Sequence, residues 1–324
     1  MNLVLKVAYR YYIEDLCQNE IADQLNISVT TVSRLIKKAK EHRIVEFVIR
    51  DAYIDSIRME EALIKKFGLK DAVIASGMIG EEPLAEGSVL MRENAKKMVA
   101  LEAARYLQRI IREHDVLGIT WGNHVYNMIN YLNPAQKTET TFVTLHGSIA
   151  HVSNELDVRT LVPRISKAFA GRHYTLMCEA LTSSPKVAGI LKKERSIREV
   201  FEMYNKVNIS VCGIGPFYPD LRSVLARPDF ISPDELQLLL NANVCGDLSL
   251  RFFDRDGIEC DTELRDRMLA ISMEQYKKID TKIILASGAE KKEALRSAIK
   301  GKLVNVLIID NQTAAELLEE PDTP

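Results

Sequence analysis

Small, hydroxyl and charged residues gather at five places in the second part of the chain, and their types suit the binding of a small polar ligand. Ala286-Ser287-Gly288-Ala289-Glu290-Lys291-Lys292 joins a small-residue turn to ammonium groups. If that turn opens a helix, its unpaired N–H groups and Lys291 favour a phosphate. Thr120-Trp121-Gly122-Asn123 offers a hydroxyl, an indole and an amide, with Gly122 allowing close backbone approach. His146-Gly147-Ser148 and Cys212-Gly213-Ile214-Gly215-Pro216 are two further sets, and Gly246-Asp247 adds a carboxylate able to accept hydrogen bonds from ligand hydroxyls. Each has a plainer reading too. Glycines at strand ends serve tight turns, Trp121 serves equally as core packing, and Asp247 as a turn carboxylate. The set points to a ligand more than any member does.

A second kind of chemistry lies near the N-terminus. Gln18 to Leu25 has the spacing of a short helix, Asn26-Ile27-Ser28 that of a turn, and Val29 to Lys37 that of a second helix. Ala22 supplies the small residue that two steeply crossing helices need at their contact. Asn26 tolerates positive φ, and Ser28 is a good N-cap. Ile21, Leu25, Ile27, Val32, Leu35 and Ile36 bury one face of each helix. The outward face carries Val29, Thr30, Ser33, Arg34 and Lys37, followed by Lys38, groups suited to base edges and phosphates in a major groove. This is the pattern of a helix-turn-helix reader of double-stranded DNA; an ordinary helical hairpin is the alternative.

Other chemistries find less support. His146 and His151 lie five apart with His173 further on, but no cysteine or carboxylate completes a metal-ligand spacing. No nucleophile elbow, phosphate-binding lysine loop or dinucleotide fingerprint occurs between strand and helix, and Gly213-Ile214-Gly215 runs into Pro216. No cofactor and no metal are therefore expected. The 324 residues suit two domains, and a net charge of −2 argues against a protein that coats nucleic acid non-specifically. Local charge is another matter, since Arg34, Lys37, Lys38, Lys40 and Arg43 crowd the second helix with only Glu41 among them. Five scattered cysteines without a Cys-x-x-Cys pair read as reduced thiols. Together with the lack of a signal-peptide core or a membrane-length apolar run, they predict a cytoplasmic protein.

The elements that must position these groups follow from periodicity. Leu3 to Tyr11 reads as a helix packing on the helix-turn-helix, and Arg43 to Arg50 as a strand closing the small domain. Tyr53 to Phe67 reads as a helix, either a linker and dimerisation element or the first helix of the body. Beyond Gly68, short β-rich runs alternate with helical stretches, as in an α/β domain on a largely parallel sheet. Strands are expected at 72–75, 116–120, 141–145, 173–178, 207–212, 244–253, 282–286 and 304–309. Helices are expected at 88–107, 123–132, 155–169, 186–204, 233–240, 290–299 and 312–318, with a hairpin turn at Asp254-Arg255-Asp256-Gly257. The expected division is 1–52 for the DNA reader, 53–67 for the linking helix and 68–324 for the ligand-binding and oligomerising body.

Taken together, Tyr11-Tyr12, Val32-Ser33-Arg34-Leu35, Gly118-Ile119-Thr120-Trp121-Gly122, Gly213-Ile214-Gly215, Gly246-Asp247 and Phe253-Asp254-Arg255-Asp256-Gly257 occur in the order of a known family. Ala286-Ser287-Gly288 with Lys291, and Leu303 to Asp310 with Thr313-Ala314, continue the series. The chain resembles a SorC-family transcriptional regulator over nearly its whole length. The resemblance implies a winged-helix-like DNA-binding head and a Rossmann-like α/β body similar to ribose-5-phosphate isomerase and glucosamine-6-phosphate deaminase, adapted to sense a sugar phosphate. It implies that Thr120, Trp121, Gly122 and Asn123 line the pocket, that Asp247 meets ligand hydroxyls, and that Ser287, Gly288 and Lys291 lie near the phosphate. A homodimer or homotetramer on operator DNA is expected, with no membrane partner. Two rivals are an enzyme of the isomerase or deaminase type carrying a DNA-reading head, and a constitutive regulator with a degenerate pocket. The enzyme would need an acid/base pair, for which Asp247 and His146 are the available residues.

Overall fold

Apolar residues three and four apart make each of the first three helices bury one face. In the computed structural model, which describes residues 2–45, 51–76, 89–134, 137–149 and 152–319, these are α1 (Asn2–Tyr12), α2 (Gln18–Leu25) and α3 (Val29–Glu41). They close around Val7, Ile21, Ala22, Val32 and Ile36, with Val4, Ala8 and Ala39 beside them. Asn26 ends α2 in the left-handed conformation at φ 53°. Ser28 Oγ then accepts the Thr31 N–H at 3.1 Å and starts α3. This helix runs on past Lys37 because Ala39 extends the buried row of Val32 and Ile36. The expected strand at 43–50 is not formed at Arg43–Val45, where Arg43 turns at φ 52°; residues 46–50 lie outside the described residues.

The chain divides into two units, Met1–Ile54 and Asp55–Pro324. In the second, the C-terminal part of α4 (Asp51–Phe67) packs Leu63, Met59, Ile64 and Phe67 on the body's core, and Glu60 Oε1 accepts the Ile74 N–H at 2.8 Å. Strands and helices then alternate: β1 (Asp71–Ala75), α5 (Val89–Ile110), β2 (Val116–Ile119), α6 (Asn123–Tyr131), β3 (Thr141–Thr144), α7 (Val158–Phe169) and β4 (Arg172–Tyr174). They continue as α8 (Pro185–Leu191), α9 (Arg195–Met203), β5 (Ile209–Gly213), β6 (Gly215–Pro216), α10 (Pro233–Asn241), β7 (Val244–Leu248), β8 (Arg251–Asp254), α11 (Glu263–Arg267) and α12 (Met273–Lys277). The chain closes with β9 (Thr281–Ala286), α13 (Lys292–Lys300), β10 (Val306–Asp310) and α14 (Asn311–Glu319).

Among the described residues, seven strands form one parallel sheet in the order β1-β10-β9-β5-β2-β3-β4. Alternation along the central strands shows why helices cover both faces. Ile283, Leu285, Val306 and Ile308 join the core under α5, α6 and α7, whereas Ile284, Ala286, Leu307 and Ile309 join the core under α4, α9, α13 and α14. A second, antiparallel sheet in the order β6-β7-β8 forms a lobe with its own core around Phe217, Leu239, Leu250, Phe252 and Met268.

Four local expectations are corrected. The run at 244–253 is two strands, because Ser249 and Leu250 turn at φ 53° and 61° and send Leu250 into the lobe core. The expected strand at 173–178 ends at Tyr174, and the helix expected over 186–204 breaks between Leu191 and Arg195 into α8 and α9. The helix expected from Glu155 begins at Val158, where Asp157 Oδ1 accepts the Arg159 N–H at 2.8 Å as its cap.

Candidate functional site

On the helix-turn-helix, Thr30, Ser33, Arg34 and Lys37 follow a spacing of three, four and seven, and all are exposed. Lys38 extends the same side, opposite the buried Val32, Ile36 and Ala39. Val29 is 41% exposed at the start of the helix, next to Ser28, whose hydroxyl is occupied in capping. Hydroxyl, methyl and cationic groups thus stand on one helix face, the arrangement that major-groove reading requires.

In the body, topology selects the other site. From β2 the chain proceeds to β3 on one side, and from β5 to β9 on the other, so the order reverses between β2 and β5. Helices crossing to opposite faces leave a crevice outside the carboxyl ends of two such strands. A cavity of about 430 Å³ lies there, lined by Thr120 to Val125 after β2 and Gly213 to Pro216 after β5. Lys96 of α5, Val152, Ser153 and Leu156, then Arg222, Ser223, Val224 and Arg227, and finally Asp247, Ser249 and Lys291 complete its wall. Small-ligand sites typically span about 300–1,000 Å³.

Gly122, at φ 125°, turns the chain from β2 into α6, whose N-terminal residues face the cavity. Trp121 both lines the cavity and packs on the lobe core, so the two readings of this residue are compatible. Asp247 reaches the end of β5 because β7 pairs Asp247 with Gly215. A side chain at Gly215 would collide with Asp247 Oδ1 and Ser223 Oγ. Ser223 Oγ donates to Asp247 Oδ1 at 2.6 Å. Burial pushes the Asp247 carboxyl up to about 7, against the opposing pull of Ser223 and Lys291. Burial also pushes Lys291 down to about 8, with Lys96 adding to the effect and Glu290 opposing it. His124 is held neutral by burial and by the nearby Lys291 and Lys96, and its Nε2 lies 2.9 Å from Ser287 Oγ.

The wall therefore carries Lys96, Arg222, Arg227 and Lys291 against the single carboxylate of Asp247. Lys96 pairs with Glu93 at 2.6 Å and Arg222 with Asp220 at 3.5 Å. Lys291 and Arg227 have no ion-pair partner among the described residues, which leaves uncompensated positive charge for an anionic ligand.

Several residues expected at the ligand are not in the wall. His146, Gly147 and Ser148 follow β3, one strand beyond the point where the order reverses, and all three are withdrawn from the cavity. His146 Nε2 accepts the Trp121 N–H at 3.1 Å while Nδ1 donates to the Gly147 carbonyl at 2.6 Å, a neutral tautomer consistent with burial pushing its pKa down to about 4. Gly147 packs against the backbone of Cys178 to Ala180, and Ser148 Oγ donates to Asp157. Ser287 is turned to His124, and the Gly288 N–H expected to be free is given to Asp310 Oδ2 at 2.9 Å. Both ring nitrogens of His146 are thus engaged away from Asp247, so these two do not form an acid/base pair. Lys96, His124, Ser223, Ser249 and the two arginines escape sequence reading, because nothing in their spacing marks them. Only the Arg222-Ser223 pair, in a stretch without apolar periodicity between two strands, offers a signal.

Among the described residues, no cluster of three metal-binding side chains occurs and no helix is long and apolar enough to cross a membrane. The five cysteines form no disulfide, and Cys212, Cys245 and Cys260 are buried.

Comparison with known proteins finds a family match for each part of the chain. A sugar-binding domain family matches residues 51–319, and sigma-70 region 4 matches residues 3–42, the stretch that holds the helix-turn-helix. The chain belongs to the SorC family of sugar-binding transcriptional regulators. It is 28% identical to the sorbitol operon regulator of Klebsiella pneumoniae, over 98% of each chain. With the deoxyribonucleoside regulator of Bacillus subtilis it shares 27% identity over 98% of this chain and 97% of the relative. The crystal structure of full-length SorC from Klebsiella pneumoniae superposes with a TM-score of 0.73 at 25% identity, covering 98% of this chain and 99% of that one. A SorC-family chain is a transcriptional regulator, and the enzyme reading is set aside with the loss of its acid/base pair.

Proposed function

We propose that this SorC-family regulator senses a phosphorylated sugar or sugar-like metabolite in the cavity between β2 and β5, and that the ligand sets its affinity for operator DNA. The observation that carries the reading is the wall itself: four cations around one carboxylate, at the carboxyl ends of parallel strands, beside hydroxyl and amide groups. A phosphate suits Lys291 and its neighbouring cations, and a polyol suits Asp247. Relatives named for sorbitol, erythritol and deoxyribonucleosides support a role in carbohydrate metabolism. The body's parallel sheet supports kinship with the Rossmann-like isomerase and deaminase folds, with sensing in place of turnover.

Thr30, Ser33 and Arg34 contact bases in this reading, while Lys37 and Lys38 reach phosphates. One short helix with few cations has too little surface for physiological specificity, so the regulator acts as a homodimer or homotetramer in the cytoplasm. The test is a thermal-shift titration with ribose 5-phosphate, fructose 6-phosphate, glucosamine 6-phosphate and sorbitol 6-phosphate beside their unphosphorylated counterparts. A ligand at a hundred times its Kd adds about 2.7 kcal/mol to the folded state. Stabilisation by at least one phosphate ester and by no parent sugar is expected. A panel without any shift would favour the degenerate-pocket regulator.

A further inference from the structure

The outward side of α1 is more apolar than a solvated helix face. α1 buries Val4, Val7 and Ala8 against α2 and α3, yet Leu5, Tyr9 and Ile13 stand 55%, 53% and 70% exposed. These three are four residues apart, and the Ile13 N–H bonds to the Tyr9 carbonyl at 2.9 Å, so the helical spacing continues through Ile13. Residues so spaced form one stripe along a helix. On a unit as small as Met1–Ile54, an apolar stripe of this size marks a contact surface.

The charges beside the stripe indicate what fits it. Lys6 follows Leu5 at one end, and Glu14 follows Ile13 at the other, with Asp15 next to it. All three are exposed, and none is in an ion pair among the described residues. Arg10, by contrast, donates to Gln24 Oε1 within the head. A stripe with a cation at one end and carboxylates at the other complements itself when a second copy lies antiparallel to it. A two-fold axis at Tyr9 sets Leu5 against Ile13 of the second copy and Lys6 beside its Glu14. Contact of one patch with itself is how two-fold dimers close. Pairing through α1 leaves α3 free to read DNA, because the reading residues of α3 lie opposite the row that packs inside the head.

We infer that the Leu5-Tyr9-Ile13 stripe is the surface through which two heads pair, antiparallel, with Lys6 of each beside Glu14 of the other. This rests on the reading of the regulator as paired copies on operator DNA, and it assigns a share of that pairing to the head itself. Two heads held in this way present two copies of Arg34 related by a two-fold axis, so the operator they fit is a palindrome of two half-sites.

The test is disulfide trapping in the full-length chain. Cys17→Ser keeps a capping residue at the start of α2, and Tyr9→Cys is added in that background. Mild oxidation is expected to convert the chain to a covalent dimer that a reductant reverses. Two controls, Cys17→Ser alone and Cys17→Ser with Ser33→Cys on the reading face of α3, are expected to stay uncrosslinked. Lys6→Glu or Glu14→Lys, added to the Tyr9→Cys chain, is expected to slow trapping roughly fivefold, as the loss of two exposed ion pairs per dimer would. The two reversals together are expected to restore it. Equal trapping through Tyr9→Cys and Ser33→Cys, or a double reversal that does not recover, would overturn the inference. So would the absence of trapping through Tyr9→Cys in a chain that sediments as an oligomer, a result that leaves the proposed function standing. A chain that sediments as a monomer even with operator bound would end the paired-copy reading, and the inference with it.

Discussion

Two side chains set the behaviour of the two surfaces. Arg34 stands exposed beside Thr30 and Ser33, and a guanidinium there is suited to a bidentate contact with a guanine edge. Arg34→Ala is expected to weaken specific operator binding by about 1–3 kcal/mol at fixed salt, read in a mobility-shift titration. A similar loss on non-specific DNA would mean that Arg34 contacts phosphate only. In the cavity, burial holds the Asp247 pKa at about 7 rather than near its ordinary 3.8. Between those values the folded chain keeps a proton that the unfolded chain has released, so this residue's contribution to stability declines as pH rises through the window. Asp247→Asn should therefore melt higher than the native chain at pH 8 without ligand, and no higher at pH 3.5. The gain should be at least about 2 °C, since ~1 kcal/mol moves Tm by ~2–4 °C at this size. Calorimetry at the two pH values decides, and equal differences at both would refute the assignment.

At the scale of elements, the site depends on a strand pair as much as on any side chain. β6 is two residues long, yet its pairing with β7 brings Asp247 over the end of β5. Gly215 is the point where this works, because any Cβ there would enter the space of Asp247 Oδ1 and Ser223 Oγ. Gly215→Ala is expected to cut sugar-phosphate affinity by tenfold or more in isothermal titration, with operator binding in the absence of ligand retained. Loss of both together would mean that the substitution unfolds the body. His146 serves at the same scale, as the acceptor that holds the Trp121 N–H and with it the start of α6. The loop was recognisable from its glycine and polar residues, but its role as a buttress was not, since that depends on which strand neighbours which.

For the whole molecule, the question is coupling between the cavity and the DNA-reading helix. A regulator that responds to a metabolite must bind it with different affinity in its DNA-bound and free states, and linkage makes the effect reciprocal. Whatever factor a sugar phosphate applies to operator affinity, saturating operator is expected to apply to sugar-phosphate affinity. Couplings of this kind run about 5–150-fold. Titrating the effector with and without operator, and the operator with and without effector, checks the equality. Unit factors in both directions would identify a regulator whose cavity does not control DNA binding.

The sequence by itself determined the elements with strong local signals. The helix-turn-helix was legible because Ala22, Asn26 and Ser28 each answer a backbone requirement within a few residues of one another. The parallel body was legible because its strands are buried on both faces and appear as apolar runs between helices. Asp247, Trp121 and Lys291 were legible as candidates since strand-end loops carry their own composition. Only the tertiary structure decided which strand ends meet. The reversal of order between β2 and β5 brought Thr120, Gly213 and Lys291 to one cavity and left His146, Gly147 and Ser148 a strand away. It also drew Lys96, Arg222, Arg227 and Ser249 from distant segments into the same wall. Strand order and cross-strand register are set by packing among residues far apart in the chain, and no local pattern encodes them.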